Sequence, residues 1–123
     1  MASVHQNIHI AGSIFSSLNN RELTRLNDYL DENATFDFPG TKLIEGRRKI
    51  LAFFKILFRK YPRLTFTVQE SIVDGEKVCI LWTNEGITRN NTPYANRGVT
   101  YVHISGGKIH FISDYFKNTS FID

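Results

Sequence analysis

The sequence predicts an α+β fold, with helices first and a long antiparallel sheet after them. Three observations lead there. Apolar residues recur at helical spacing in three stretches of the first half, and β-forming residues fill four stretches of the second. The 123 residues, 41% hydrophobic, 13% aromatic and 22% charged, suit one globular domain over 1–123 that buries its own core. Helices grouped before a run of strands pack as a layer against one face of a sheet.

Val4, Ile8, Ala11, Phe15 and Leu18 form one stripe of a helix over about residues 3–18, widened by Ile10 and Ile14. His5 and His9 fall on its polar side. Asn19 with Glu22 three residues on has capping-box spacing, which predicts a second helix with Leu23, Leu26, Tyr29 and Leu30 inward, ended by Asp31-Glu32-Asn33. Ala34–Phe38 reads as a short strand stopped by Pro39-Gly40. Ile50, Phe53, Phe54, Leu57 and Tyr61 give a third helix over 47–60, closed by Pro62.

Strands are expected at Leu64–Val73, Lys77–Thr88, Asn96–Ser105 and Lys108–Lys117, broken by Asp74-Gly75, by Asn90-Asn91-Thr92-Pro93 and by Gly106-Gly107. In the second of these, Val78, Ile80 and Trp82 share one face, and Cys79, Leu81 and Thr83 the other.

Composition excludes several classes. One cysteine, Cys79, allows no internal disulfide framework. No apolar run approaches the ~20 residues that span a bilayer, and Met1–Gln6 lacks the charged start and apolar run of a signal peptide. The expectation is a soluble, cytoplasmic protein without a membrane partner. Between Gly46 and Gln69 the chain carries Arg47, Arg48, Lys49, Lys55, Arg59, Lys60 and Arg63 and no acid. Such a run is either a patch for an anion or the solvated face of the third helix. With a net charge of +3 and no nucleic-acid signature, no nucleic-acid partner is expected.

The candidate chemistry sits in the last hairpin. A two-residue turn at Gly106-Gly107 sets His103 opposite His110, Tyr101 opposite Ile112 and Val99 opposite Asp114. Two facing histidines suggest a metal site. Asp114 is two pairs away, and neither HxH nor HExxH spacing is present, so no metal is expected. Asp114 is the candidate catalytic residue. Its strand neighbours Ile112 and Phe116 share its face, and a carboxyl desolvated by them has a raised pKa suited to proton transfer. The alternative is an exposed Asp114, or one paired with Arg97. Cys79 sits mid-strand without a cationic neighbour, and no GxSxG elbow is present.

From Ser17-Leu18-Asn19-Asn20-Arg21-Glu22-Leu23-Thr24-Arg25-Leu26 through Asn33-Ala34-Thr35-Phe36-Asp37-Phe38-Pro39-Gly40, the chain resembles the nuclear transport factor 2-like superfamily. More narrowly it resembles its SnoaL-like branch of polyketide cyclases, limonene-epoxide hydrolases and ketosteroid isomerases. Glu45-Gly46 before the third helix, Trp82, Gly86, Gly98 and Gly106-Gly107-Lys108-Ile109 support the resemblance. It implies a cone: a curved antiparallel sheet wrapped around three N-terminal helices, with a pocket between them and a convex face that makes a homodimer.

The resemblance carries few catalytic roles across. The isomerases' oxyanion tyrosine falls at Ile14, their base at Phe38 and their protonated aspartate at Val99 or Thr100, so their mechanism is not expected here. The cyclases and epoxide hydrolases place an acid on the last strand, where Asp114 stands. The resemblance and the residues together predict a pocket for a small hydrophobic molecule. Phe38, Trp82, Tyr101, Ile112 and Phe116 line it, with Ile14 and Phe54 from the helices and Asn84 and Asp114 orienting the ligand. If there is chemistry, it is that of a cofactor-independent isomerase, cyclase or hydrolase. The rival is a non-catalytic carrier, sensor or dimerisation module.

Overall fold

A computed structural model describes residues 3–118. Met1 and Ala2, on which part of the signal-peptide reading rests, lie outside these residues, as do 119–123. The elements run α1 (Val4–Asn20), α2 (Thr24–Tyr29), β1 (Leu30–Asp37), β2 (Ile44–Glu45), α3 (Arg47–Lys60), β3 (Arg63–Asp74), β4 (Lys77–Ile87), β5 (Pro93–Ser105) and β6 (Lys108–Phe116). The fold is α+β as expected. Its six strands are ordered β2-β1-β6-β5-β4-β3. The sheet is mixed rather than antiparallel throughout, because β1 runs parallel to β6, pairing Phe36 with Ile112 and Asp37 with Ser113. That contact joins segments far apart in sequence, and no turn announces it.

Helix α1 begins at Ser3, whose hydroxyl accepts from Gln6 N at 3.1 Å. Its buried side is Asn7, Ile10, Ala11, Ser13, Ile14, Phe15, Ser17 and Leu18. Val4, expected in that stripe, is 46% exposed because it lies in the first turn, beyond the sheet's cover. His5 and His9 are exposed.

Asn19 is not an N-cap. It lies inside α1, and its amide pairs with the edge of β3 as another strand would, accepting from Phe66 N at 2.7 Å and donating to Phe66 O at 2.9 Å. The start of α2 is held by Glu22 instead, whose carboxylate accepts from Thr24 N at 2.8 Å. Arg21 closes α1 in the left-handed region (φ 55°) and donates its guanidinium to the last carbonyls of α3, at Phe58 and Tyr61. Asp31-Glu32-Asn33 does not end in a loop: the chain passes from α2 into β1, with Leu30 and Ala34 buried.

Two of the antiparallel ladders each carry a bulge. One leaves Gln69 unpaired in β3, the other His110 in β6. The Gly106-Gly107 turn does pair Ser105 with Lys108 and Ile104 with Ile109. Past His110 the register has slipped by one. His103 faces Phe111, Tyr101 faces Ser113, Val99 faces Tyr115, and Thr100 faces Asp114.

The core between the helices and the inner sheet face includes Ile10, Leu26, Phe36, Ile50, Phe54 and Ile80. Arg48, Lys49, Lys55 and Arg59 project from the outer side of α3, away from this core.

Candidate functional site

Residues paired across antiparallel strands share a face, so the register lays out the inner wall of the cavity in four rungs. Thr100 pairs with Asp114. Trp82, Gly98 and Phe116 form the next rung, then Asn84 with Asn96, then Gly86 with Tyr94. Phe36 and Phe38 close one side from β1. Ile14, Phe15 and Leu18 of α1, with Phe54, Leu57 and Tyr61 at the α3 end, form the roof. The space left for centres of water-sized molecules is about 60 Å³. By that measure one water needs about 10–15 Å³, so the cavity holds a few waters or one small apolar guest.

The expected residues Ile14, Phe38, Phe54, Trp82, Asn84, Ile112, Asp114 and Phe116 all border this cavity. Tyr101 does not. It lies between the inward Thr100 and Val102, on the outer face, where the His110 bulge pairs it with Ser113 rather than Ile112 and its ring is 6.0 Å from that of Phe111. Arg97 is exposed on the outer face opposite Thr83, not paired with Asp114. Asp37 also points outward, with the Ser113 hydroxyl donating to it at 3.5 Å.

Gly98 explains how Trp82 reaches across β5. A Cβ there would stand 2.8 Å from both the Trp82 ring and Phe116 Cβ, and would strike the Tyr115 carbonyl oxygen. With no side chain at Gly98, the indole Nε1–H donates to Thr100 Oγ1 at 2.9 Å. The Thr100 hydroxyl donates in turn to Asp114 Oδ1 at 2.6 Å. Asp114 is pushed up to about 7. Burial among Ile112, Phe116 and Phe38 is the largest cause, the Thr100 hydrogen bond opposes it, and the Asp37 charge adds to it.

Sequence reasoning missed a second polar group at the far end of the cavity. Asn96 Nδ2 donates to the Tyr94 hydroxyl at 2.9 Å and to Asn118 O at 2.8 Å, and its Oδ1 accepts from Asn118 N at 2.8 Å. The rings of Tyr61 and Tyr94 lie 4.8 Å apart, and burial raises both phenols, so both stay neutral. Asn84, one rung nearer Asp114, is 8% exposed, and its Oδ1 has no partner among the described residues. The available signal for the missed pair was alternation along β5: Tyr94, Asn96, Gly98 and Thr100 must share a face. Tyr61 was hidden among the apolar residues of the α3 stripe.

His103 and His110 remain neighbours, with rings 6.3 Å apart. Each turns toward its own carboxylate, Glu76 at 3.6 Å and Asp31 at 4.0 Å. Among the described residues, no three His, Cys, Asp or Glu side chains are placed to hold a metal. Nor is any helix of these residues long and apolar enough to cross a membrane.

The description of the SnoaL-like domain matches residues 13–112. The chain belongs to the SnoaL-like family. Solved structures place this family member within the nuclear transport factor 2-like fold. A protein of that fold from Burkholderia pseudomallei K96243, of unknown function, superposes with a TM-score of 0.86 at 17% identity, over 99% of this chain and 96% of its own. A candidate SnoaL-like polyketide cyclase from Jannaschia sp. CCS1 gives 0.84 at 17% identity, over 95% and 90%. A further relative of that fold, from Anabaena variabilis ATCC 29413, gives 0.82 at 22% identity, over 96% and 95%. No curated protein matches the chain. At these identities the likeness is one of fold, and the SnoaL-like scaffold serves many activities.

Proposed function

We propose that this SnoaL-like protein binds a small, uncharged, largely hydrophobic molecule in the cavity and that Asp114 exchanges a proton with it. The observation that carries this reading is a carboxyl with a pKa of about 7 bordering an aromatic cavity, its Oδ1 held by Thr100. An acid poised near neutral pH both donates and accepts protons, as shuttling one between two atoms of a ligand requires. Lys, Arg and His are absent from the described lining, so an anionic guest would be desolvated without a counter-charge.

The chemistry is that of a cofactor-independent isomerase, cyclase or hydrolase. A relative described as a candidate polyketide cyclase lends this support. The ketosteroid isomerase arrangement is not proposed, because Ile14 and Phe38 are buried apolar side chains at two of its polar positions.

The test is a library of one- and two-ring ketones, enols, phenols and epoxides. Ligand-detected NMR measures binding, and turnover is followed in wild type and Asp114→Asn. Binding with turnover lost in Asp114→Asn supports the enzyme. Binding without turnover in either supports a carrier or sensor, which the buried, apolar Phe38 at a position where the isomerases keep a base also favours.

The outer face adds a partner to the proposal. Cys79, Leu81, Val99, Tyr101 and Phe111 are half-buried there without a helix above them, and Ile72 and Tyr115 are 53% and 62% exposed. A second copy of this chain covers such a face by two-fold symmetry.

A further inference from the structure

An indole nitrogen only donates hydrogen bonds, and a threonine hydroxyl has one proton to give. With Trp82 Nε1–H directed at Thr100 Oγ1, that oxygen is an acceptor on the indole side. Its own proton lies along the 2.6 Å contact to Asp114 Oδ1. Were Oδ1 to carry the carboxyl proton, Thr100 would receive two donors, and its own proton would have no acceptor among the described residues.

We propose that Trp82 and Thr100 are positioning residues that give the two oxygens of Asp114 separate tasks: Oδ1 stays the acceptor of the Thr100 hydroxyl, and Oδ2 alone exchanges a proton with the occupant of the cavity. The proposal rests on the reading of Asp114 as the proton-exchanging group, and adds which atom acts and what fixes it. Gly98 is part of the device, since any side chain there displaces the indole. The direction of the chain also matters. A hydroxyl free to turn would let the proton sit on either carboxyl oxygen, and a bound molecule would then not always meet the right one.

The other titratable groups around Asp114 are Asp37 on β1, and Tyr61 and Tyr94 at the far end of the cavity. Both phenols are raised, so neither changes charge near neutral pH. The Asp114 carboxyl carbon, followed alongside the indole, assigns a transition that passes through Thr100 to Asp114 rather than to Asp37.

Trp82 is the only tryptophan, so its indole N–H gives a single, assignable NMR signal. The experiment follows that signal and the Asp114 carboxyl carbon from pH 4 to 9 in the ligand-free protein, in wild type, Thr100→Ser and Thr100→Val. In wild type and Thr100→Ser, both signals move with one shared midpoint near 7. In Thr100→Val the indole stops following the carboxyl. The carboxyl midpoint rises by roughly half a unit or more, because a hydrogen bond to the charged form has been lost.

An indole signal that stays flat while the wild-type carboxyl titrates overturns the proposal. So does a Thr100→Val midpoint equal to that of wild type. Should Thr100→Val not fold, co-titration in wild type and Thr100→Ser decides. A failed ligand search leaves these titrations unchanged, and a flat indole leaves ligand binding unchanged, so the two readings fail separately.

Discussion

Replacing Asp114 with asparagine removes an ionisation that folding opposes while keeping an oxygen for Thr100 to donate to. The folded carboxyl has a pKa of about 7 against an ordinary 3.8, so it is raised. Between those values the folded chain holds a proton that the unfolded chain has released. Stability therefore falls with pH across this window: the contribution is fully present below about 4 and lost as pH rises through 7. At ~1.36 kcal/mol per unit the window is worth on the order of 4 kcal/mol. Asp114→Asn is thus expected to match wild type near pH 4 and to exceed it by about 3–5 kcal/mol at pH 8. Urea unfolding followed by Trp82 fluorescence at pH 4, 6 and 8 measures this difference, and titrating groups that do not interact with Asp114 cancel between the two proteins. A difference that does not change with pH refutes the reasoning, and an Asp114→Asn variant less stable than wild type at pH 8 makes Asp114 a structural hydrogen-bonding group.

Phe38 is 7% exposed, with its ring 4.7 Å from that of Phe53 and 5.5 Å from that of Phe116, so Phe38→Ala should lose about 3–5 kcal/mol in urea unfolding. Phe38→Asp should show no ketosteroid isomerase turnover, because Ile14 supplies no hydroxyl to an enolate; a measurable rate overturns that view. Gly98→Ala should destabilise by about 1–3 kcal/mol, as overpacking does, and shift the Trp82 fluorescence maximum as the indole leaves Thr100; an unchanged spectrum counts against the crossing described above. Tyr115→Glu places a charge on the proposed two-fold face, and sedimentation at micromolar concentration should turn from dimer to monomer. A wild-type monomer under the same conditions removes the dimer.

Local periodicity carried most of the elements. The stripe from Ile50 to Tyr61 and the basic residues opposite it place α3 at 47–60, as found, because both signals come from one helix face. The alternation of Val78, Ile80 and Trp82 likewise sets the inner face of β4. Two features were not legible because they depend on segments distant in sequence. The parallel pairing of β1 with β6 has no turn to mark it. Asn19 has the spacing of a cap, and only the nearby edge of β3 gives its amide a better pair of partners.

The candidate site shows why a single extra residue matters more than any side chain. Ile112, Asp114 and Phe116 share a face whatever the register, so β6 alone sets Asp114 beside apolar neighbours. Which side of the sheet that face takes, and what Asp114 meets across it, is not set by β6. A regular hairpin puts Val99 opposite, which neither donates nor accepts, and would leave Asp114 without a hydrogen bond from β5. The bulge at His110 moves β5 by one residue relative to β6. Before the bulge Ile104 and Ile109 form a buried pair; that one step turns Ile112, Asp114 and Phe116 to the same inner face, and places the Thr100 hydroxyl beside the carboxyl at the point where Trp82 crosses Gly98. The carboxyl's apolar neighbours therefore come from the composition of one strand, and its inward place and its partner from an irregularity of the ladder between two.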